Sequence, residues 1–370
     1  MAKISKVEDV DKNMKERKDN SNNLSFKDPK KSKKFLIEGL AFFEKEHLYR
    51  RLPVNCKDTV TDAVYWLSKM PSGGQIRFRS NATKIVVHVK SSGEYMMPHM
   101  TKVGQQGLDL YYKEKGQRKY NFYTSTTFSV PSSEFEVVLF AADMPETRDF
   151  IINLPLYQAM DDVMIGFNKE AKLFKPRPHK HQGRILIYGT SVTQGGCANR
   201  PGMAFTNILS RKMDYEFINL GFSGSGMGEI EMADLICTID NLDMLILDYE
   251  ANGNSNDLLY QTLEPFIDRL RKTFPSIPLV VMSKTPFSVD LKNNQKGMEL
   301  RNKFYVFQRE MVEKKKAAGD NNIYFVDGNK LFGNVDVDEC TVDGYHPTDL
   351  GFYLEAKNLY PILTKILKNK

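Results

Sequence analysis

Four short motifs in the C-terminal half of the chain carry residue types that suit acyl transfer. Residues 189–191 are Gly-Thr-Ser, 219–224 are Asn-Leu-Gly-Phe-Ser-Gly, 250–252 are Glu-Ala-Asn, and 343–346 are Asp-Gly-Tyr-His. They offer, in that order, a hydroxyl nucleophile, a backbone amide, a side-chain amide and an acid–base pair. Hydrolysis of an ester through a serine needs all four, because the nucleophile must lose a proton while negative charge develops on the carbonyl oxygen.

The last of these motifs is the most specific. Asp343 stands three residues before His346, so its carboxylate can accept a hydrogen bond from the imidazole Nδ1. That bond would fix the tautomer and leave Nε2 as a base toward a serine. The other five histidines have no such partner in nearby sequence and are expected on the surface or in a linker: His47, His88, His99, His179 and His181.

Ser191 is the candidate nucleophile. Glycines on both sides of it would let the chain turn sharply after a strand and bring backbone amides close to a substrate. Taken alone, this serine could equally cap a helix or a turn. A phosphate-binding loop is excluded because the pattern Gly-x-x-x-x-Gly-Lys-Ser/Thr requires a lysine that this segment lacks.

The oxyanion donors are expected from three places: the amide of Ser191, the amide of Gly224 and the side chain of Asn252. The glycine-rich segment around Gly224 could also be a plain flexible loop. Asn252 could be a turn-forming residue, and Asn254 is a rival for its role.

The elements that must position these residues alternate between strand and helix. Near-continuous apolar runs predict buried parallel strands at 184–188, 216–220, 243–249, 277–283 and 322–327. Helical spacing predicts helices at 203–213, 228–240, 256–274, 293–318 and 348–367. This alternation predicts an α/β domain with a five-stranded parallel sheet covered on both faces. The first three motifs follow strand ends, where open parallel sheets build their sites.

The first half of the chain follows another pattern. Short β-rich segments such as 75–79, 84–89 and 134–140, separated by Gly, Pro and Ser turns, predict a β-sandwich of jelly-roll type. We therefore expect a charged tail at 1–34, a β-sandwich domain at 35–174, a basic, proline-spaced linker at 175–182 and a catalytic domain at 183–370.

Composition excludes several classes of protein. The 370 residues carry a net charge of +6, concentrated in lysine-rich ends without interleaved aromatics, so nucleic acid is not an expected partner. The sequence has no apolar leader and no run long enough to span a membrane, which favours the cytoplasm. Four scattered cysteines predict neither disulfides nor zinc, and the acidic pair Asp248 and Glu250 offers too few ligands for a metal.

The four motifs resemble those of the SGNH hydrolases, also called GDSL-like esterases and lipases. The resemblance covers residues 184–367, with its blocks at 189–195, 219–224, Asn252 and 343–347. The sequence departs from the family in having Thr190 where many members have Asp, and in lacking the usual Gly-x-Asn-Asp of the third block. The resemblance implies a flavodoxin-like three-layer α/β/α fold with strand order 2-1-3-4-5, and neither metal nor cofactor.

A fifth motif strengthens the resemblance. Residues 107–111, Gly-Leu-Asp-Leu-Tyr, resemble the Gly-x-Asp-Leu-Tyr signature of a β-domain found ahead of such hydrolases. The combination resembles carbohydrate esterases that remove acetyl groups from sugars. We therefore predict a serine esterase with Ser191 as nucleophile, His346 as base and Asp343 as its orienting partner. Its expected substrate is an acylated oligosaccharide or another small ester.

Alternatives to this prediction remain open. The same residues could serve a lipase, a thioesterase or an acyltransferase. The chain could also be a carbohydrate-binding protein without activity, whereas a nucleotide-binding domain is disfavoured by the absence of its glycine motifs. The first half could supply aromatic surfaces over the site, with candidates Trp66, Tyr95, Tyr111 and Tyr112.

Overall fold

The computed structural model of the chain describes residues 6–19, 23–93, 97–128, 133–253, 257–292 and 295–369. The described residues of the first half form ten strands: β1 (Leu24–Lys27), β2 (Leu36–Glu38), β3 (Gln75–Ser80), β4 (Lys84–Ser92), β5 (Asp109–Lys113), β6 (Asn121–Ser125), β7 (Glu134–Ala141), β8 (Arg148–Asn153), β9 (Ala159–Asn168) and β10 (Leu173–Phe174). Three short helices accompany them: α1 (Phe43–Glu46), α2 (Asp62–Ser68) and α3 (Lys102–Gln106).

These strands form two antiparallel sheets around one apolar core. One sheet has the order β1-β9-β4-β7, and the other has the order β10-β3-β8-β5-β6, with β2 paired to β3. Alternate residues of both sheets are buried in a single cluster, for example Ile76 and Phe78 of β3 with Ile85 and Val87 of β4. The predicted β-sandwich is therefore confirmed, because period-2 burial turns one face of each sheet toward the other.

The first sheet starts earlier than the sequence indicated. Residues 24–27, which the sequence pattern places in the charged tail, form β1 and pair antiparallel with β9. The Phe26 ring lies against Gly166, where any side chain would collide with it. Two apolar residues in a charged segment are too few to predict a strand. The strand forms because its backbone pairs with β9, which is distant in sequence.

The second half contains the parallel sheet. Its strands are β11 (Arg184–Gly189), β12 (Glu216–Gly221), β13 (Leu242–Asp248), β14 (Leu279–Met282) and β15 (Ile323–Val326). Its helices, among the described residues, are α4 (Ser191–Gln194), α5 (Phe205–Met213), α6 (Ile230–Ile236), α7 (Glu250–Gly253), α8 (Leu258–Thr273), α9 (Ser288–Lys292), α10 (Gln295–Ala317) and α11 (Asp349–Lys368).

The strand order β12-β11-β13-β14-β15 is the predicted 2-1-3-4-5, and all neighbours are parallel. The chain leaves β11 toward β12 and then returns to β13. Right-handed crossovers therefore place α5 on one face, where it packs against α11, and α6 on the other, where it packs against α8. This reversal beside β11 is the switch point at which ligands bind in such folds.

The β-sandwich covers the open edge of the parallel sheet. β12 is the edge strand, and the backbone amide of Gly39 donates to Glu216 Oε1 at 3.0 Å. Gly73, with φ +82°, lies against Asn219 so closely that a Cβ would overlap the asparagine side chain. The edge of the sheet is thereby shielded by backbone from the first half.

Long helices do occur in the second half, but none of them is suited to a bilayer. α10 and α11 have 23 and 20 residues and carry many charged side chains. Within the described ranges, no helix is both long enough and apolar enough to cross a membrane.

Candidate active site

Ser191 lies at a tight turn between β11 and α4. The strand ends at Gly189, Thr190 is extended, and Ser191 is the first residue of the helix. A side chain at Gly189 would overlap Thr193, and Gly195 ends the helix with φ +101°. Glycine is required at both places, so the sequence of this segment allows the abrupt turn that the serine needs.

The structure brings the three distant residues Ser191, His346 and Asp343 together. His346 Nε2 lies 2.9 Å from Ser191 Oγ, and His346 Nδ1 lies 2.7 Å from Asp343 Oδ2. Asp343 Oδ1 accepts hydrogen bonds from the amides of Tyr345 at 3.0 Å and His346 at 2.8 Å. Serine, imidazole and carboxylate are therefore linked in the sequence that proton transfer requires.

Asp343 is held in its charged form. Partial burial opposes ionisation of this carboxyl, but hydrogen bonds from the backbone and ring of His346 and from the Tyr345 amide outweigh it and lower the pKa. A carboxylate in this position can hold a proton on the imidazole Nδ1, in which case Nε2 is the acceptor that faces Ser191.

Asn252 lies beside the glycine-rich loop that follows β12. Its amide is best oriented with the oxygen accepting from the backbone of Ser225 at 3.1 Å and Gly226 at 3.2 Å. The NH2 group then lies on the opposite side from these two amides. Gly224 has φ +65° with open space beside its Cα, so its backbone borders a free volume. Asn254, the rival to Asn252, lies outside the described residues.

The β-sandwich contributes two side chains that sequence reasoning missed. Tyr157 is buried, and its hydroxyl donates to the Ser191 carbonyl oxygen at 3.4 Å. His99 Nε2 lies 3.6 Å from Asp343 Oδ2, and the His99 and His346 rings are 5.8 Å apart. His99 is exposed, as the sequence predicts, and its ring nevertheless reaches Asp343. His179, in the linker, is partly buried between Glu38 and Asp214.

Arg51 of the first half reaches the loop that carries the oxyanion candidates. Its fully buried guanidinium donates to the carbonyls of Met70 and Leu67, both at 2.8 Å, and to that of Gly221. The guanidinium also lies 4.6 Å from the centre of the Phe222 ring. Burial lowers the pKa of Arg51 to about 9. The end of β12 is thus fixed by a charge from the other domain.

The acidic pair that follows β13 has a structural role. Asp248 accepts from Thr193 Oγ1 at 2.6 Å, and burial raises its pKa to about 7. Glu250 accepts from the Lys284 amide at 2.9 Å and from Gln308 Nε2 at 2.7 Å. Both carboxyls brace the loops behind the serine.

One cluster of potential metal ligands does occur among the described residues. His99, Cys197, Asp343 and His346 each offer a ligand atom, and these atoms all lie within 4.8 Å of one another. Cys197 is buried and adopts φ +74°. Burial, together with the nearby Asp343, raises the pKa of this thiol to about 12. Cys197 therefore carries its proton at neutral pH and is a weak nucleophile.

A cavity of about 520 Å³ lies between the two halves of the chain. Its cationic lining residues are Arg118, Lys119, Arg200, Arg211 and Lys212. Its aromatic lining residues are Tyr111, Tyr120, Phe122, Tyr353 and Tyr360. Arg200, one of its lining residues, lies nine positions after Ser191 in the chain, and the neighbouring Asn199 amide donates to Asp349 Oδ1 at 2.9 Å.

The Gly-x-Asp-Leu-Tyr signature lies at this interface between the halves. Asp109 is fully buried and accepts from Arg200 Nη1 at 2.9 Å and from the Gly202 amide at 2.8 Å. Tyr111 lines the cavity, with its ring 3.8 Å from the Arg211 guanidinium. Among the other suggested aromatics, Trp66 and Tyr112 are not among the cavity-lining residues, and Tyr95 lies outside the described residues.

Two family models match the sequence. The model of the GDSL-like lipase/acylhydrolase family matches residues 182–364, and the model of the N-terminal domain of SGNH hydrolase-type esterases, named GxDLY, matches residues 24–173. A crystal structure of a Bacteroides ovatus protein provisionally assigned as a GDSL-like lipase has 32% sequence identity and a TM-score of 0.84, covering 94% of this chain and 98% of that one. The chain belongs to the GDSL-like lipase/acylhydrolase family. Hydrolysis of acyl esters is therefore its class of reaction.

More distant solved structures share the fold with this GDSL-like hydrolase. The salicylyl-acyltransferase SsfX3 of a tetracycline biosynthetic pathway has 14% identity and a TM-score of 0.74, over 94% of this chain and 98% of that one. An acetyl xylan esterase, Est2A, from Butyrivibrio proteoclasticus has 13% identity and a TM-score of 0.55, over 93% of this chain and 99% of that one. No curated protein matches the sequence.

Proposed function

We propose that this protein is a serine esterase that removes small acyl groups, chiefly acetyl, from carbohydrate. The observation that carries the proposal is the pair of contacts at His346, 2.9 Å to Ser191 Oγ and 2.7 Å to Asp343 Oδ2. These distances are within hydrogen-bond reach for both proton transfers of an acyl-enzyme mechanism.

In the first half-reaction Ser191 Oγ attacks the ester carbonyl carbon while His346 Nε2 takes the hydroxyl proton. The carbonyl π electrons move to oxygen, and the resulting oxyanion is bound by the amides of Ser191 and Gly224 and by the side chain of Asn252. Collapse of this intermediate breaks the bond to the sugar oxygen, which leaves with the proton from His346.

In the second half-reaction water attacks the acyl-Ser191 ester. His346 accepts a proton from the water, a second oxyanion forms in the same place, and its collapse returns the proton to Ser191 Oγ. The acid is released and the enzyme is regenerated. Asp343 stays ionised throughout and stabilises the imidazolium that forms in both steps.

The carbohydrate part of the proposal has two supports. One is the structural similarity of this chain to Est2A, an acetyl xylan esterase. The other is the cavity between the halves of the chain, whose size suits a ligand of a few sugar rings and whose aromatic lining offers flat apolar faces. Exposed rings at Phe122, Tyr353 and Tyr360 border this cavity.

An acyltransferase is the second candidate. The salicylyl-acyltransferase SsfX3 matches the chain over nearly its whole length with a higher TM-score than Est2A. The two functions differ only in what attacks the acyl-enzyme, water or an acceptor alcohol.

Acetate release from a panel of acetylated oligosaccharides tests the proposal. We expect release by the wild-type protein, with 4-nitrophenyl acetate cleaved faster than the butyrate. We also expect at least about a thousandfold loss in Ser191→Ala, because the nucleophile is removed. Ser276→Ala, in an exposed loop, is the matched control. Wild-type turnover in Ser191→Ala contradicts the proposal, and transfer of the acyl group to an added alcohol in preference to water favours the acyltransferase.

The cavity is tested separately with Tyr353→Ala. We expect kcat/KM on an acetylated oligosaccharide to fall about fivefold more than kcat/KM on 4-nitrophenyl acetate, as loss of one aromatic contact of ~1 kcal/mol would give. Tyr260→Ala, at an exposed tyrosine of α8, is the control. Equal losses on both substrates exclude the cavity as the carbohydrate site.

A further inference from the structure

A histidine and a cysteine that the proposed reaction does not use lie against its acid–base pair. His99 comes from the loop before α3 in the β-sandwich, and Cys197 follows α4 in the second half. With Asp343 and His346 they place four ligand atoms within 4.8 Å of one another. The four come from three separate segments of the chain, so their meeting is a property of the fold.

The chemistry of this cluster is selective. It offers two imidazoles, one thiol and one carboxylate, which are the ligand types that Zn²⁺ prefers and that Mg²⁺ and Ca²⁺ avoid in this combination. Zn–N bonds of about 2.0 Å and Zn–S bonds of about 2.3 Å place tetrahedral ligands roughly 3.3–3.8 Å apart. The separation of His99 Nε2 from Asp343 Oδ2, 3.6 Å, is slightly longer than the ~3.3 Å of a nitrogen–oxygen pair. The hydrogen bond of 2.7 Å between His346 Nδ1 and Asp343 Oδ2 must open to admit the ion.

The cluster is also accessible and has a suitable charge. The side chains of His99, Asp343 and His346 are 36%, 29% and 22% exposed, while Cys197 closes the buried side. Thiolate and carboxylate together carry two negative charges, so binding of Zn²⁺ gives a neutral complex that a half-buried site tolerates. On binding, the thiol gives its proton to solvent and the imidazoles coordinate in their neutral forms.

We propose that His99, Cys197, Asp343 and His346 form a binding site for Zn²⁺ that switches the enzyme off. A zinc ion there takes both the carboxylate and a ring nitrogen of His346 away from proton transfer. The bound state is therefore inactive, and a chelator restores activity rather than removing it. The inhibitory role rests on the proposed function, whereas the metal site does not.

Binding is measured first, by titrating Zn²⁺ and Co²⁺ into the Ser191→Ala protein, which keeps all four ligands. We expect one ion per chain, and with Co²⁺ the charge-transfer absorption of a cobalt–thiolate bond. His99→Asn and Cys197→Ser each remove one ligand while keeping a polar side chain, and each should weaken binding at least about tenfold. The cobalt–thiolate absorption should vanish in Cys197→Ser.

Two matched variants control for adventitious binding. His88→Asn removes a histidine of the β-sandwich that contacts Glu134, and Cys237→Ser removes a partly buried cysteine elsewhere. Both should bind Zn²⁺ as Ser191→Ala does. No saturable binding, a cobalt complex without thiolate absorption, or affinities in His99→Asn and Cys197→Ser within twofold of the controls would each overturn the site.

Inhibition is measured next, on 4-nitrophenyl acetate. Zn²⁺ should inhibit the wild type with a midpoint matching its dissociation constant, and the midpoint should rise at least about tenfold in His99→Asn and Cys197→Ser, whatever their residual rates. Binding without inhibition of an active wild type overturns the switch. A wild type that binds Zn²⁺ but hydrolyses no ester refutes the proposed function and leaves the metal site standing.

Discussion

The guanidinium of Arg51 donates a hydrogen bond to the carbonyl oxygen of Gly221, so a buried charge of the β-sandwich fixes the end of the strand from which the oxyanion loop departs. Among the described residues, its three hydrogen-bond acceptors are all backbone carbonyl oxygens. The two halves of the chain are therefore joined at the point where the proposed chemistry needs rigidity.

Replacing Arg51 tests this link. Arg51→Met keeps most of the apolar stem but leaves three buried carbonyls without their donor, so we expect the free energy of unfolding to fall by about 3–5 kcal/mol. Urea denaturation measures the free energy of unfolding. The control is Arg309→Met, which removes an exposed ion pair and should lower the free energy of unfolding by only about 0.5 kcal/mol. A loss below 1 kcal/mol in Arg51→Met would show that the carbonyls find other donors.

Asp343→Asn tests the partner of the imidazole. An amide can donate to Nδ1 and so favour the tautomer that leaves Nε2 protonated, which cannot accept the serine proton. We expect kcat on 4-nitrophenyl acetate to fall at least about a hundredfold with the circular dichroism unchanged. Asp240→Asn, at an exposed position, should retain full activity. Unchanged kcat in Asp343→Asn removes this residue from the mechanism.

Asn252→Ala tests the side-chain donor of the oxyanion hole. Loss of one such donor costs about 3 kcal/mol of barrier, which is roughly a hundredfold to a thousandfold in kcat. KM should change little, because the donor acts mainly on charge that appears in the transition state. An effect confined to KM would assign Asn252 to substrate binding instead.

A pH dependence of stability is expected at the contact between the halves. Burial alone would lower the pKa of His179, but the hydrogen bonds that its ring donates to Asp214 and Glu38 outweigh burial and raise the pKa above 6.5. A histidine whose pKa is raised by folding stabilises the folded state at pH values below its unfolded-state pKa. That contribution is lost as pH rises through its folded-state pKa. The difference in unfolding free energy between wild type and His179→Gln should therefore be larger at pH 5.5 than at pH 9.

The companion carboxyl responds in the opposite direction. The pKa of Asp214 is lowered to about 2, mainly by its hydrogen bond with His179. Its contribution to the free energy of unfolding is therefore present at pH values above the unfolded-state pKa of 3.8, and it is lost as pH falls toward 2. Acid titration of the unfolding free energy of Asp214→Asn against wild type measures this. Parallel pH profiles for wild type and either variant would contradict the network.

The strands and their order could be predicted because buried parallel strands leave continuous apolar runs, such as residues 184–188, and because the motifs carried a family resemblance. Ser191, Asp343 and His346 were identifiable since each follows or precedes an element whose end meets the same sheet edge. The pairing of residues 24–27 was not predictable, because it depends on β9 about 140 residues away.

The contribution of the β-sandwich to the site was beyond local sequence patterns. His99, Tyr157 and Arg51 have no spacing that indicates chemistry. An arginine such as Arg51, which follows Arg50 directly, suggests a solvated surface rather than full burial. Their contacts arise from the way the two halves pack, which no periodicity within either half encodes. Cys197 was dismissed for the same reason, since its partners lie far from it in sequence.

The shielding of β12 by Gly39 and Gly73 bears on what would follow if the halves were separated. A hydrolase half produced alone would present a bare row of backbone donors and acceptors along its first edge, a template on which other chains can add strands. We expect the isolated hydrolase half to aggregate through this edge before it loses any activity.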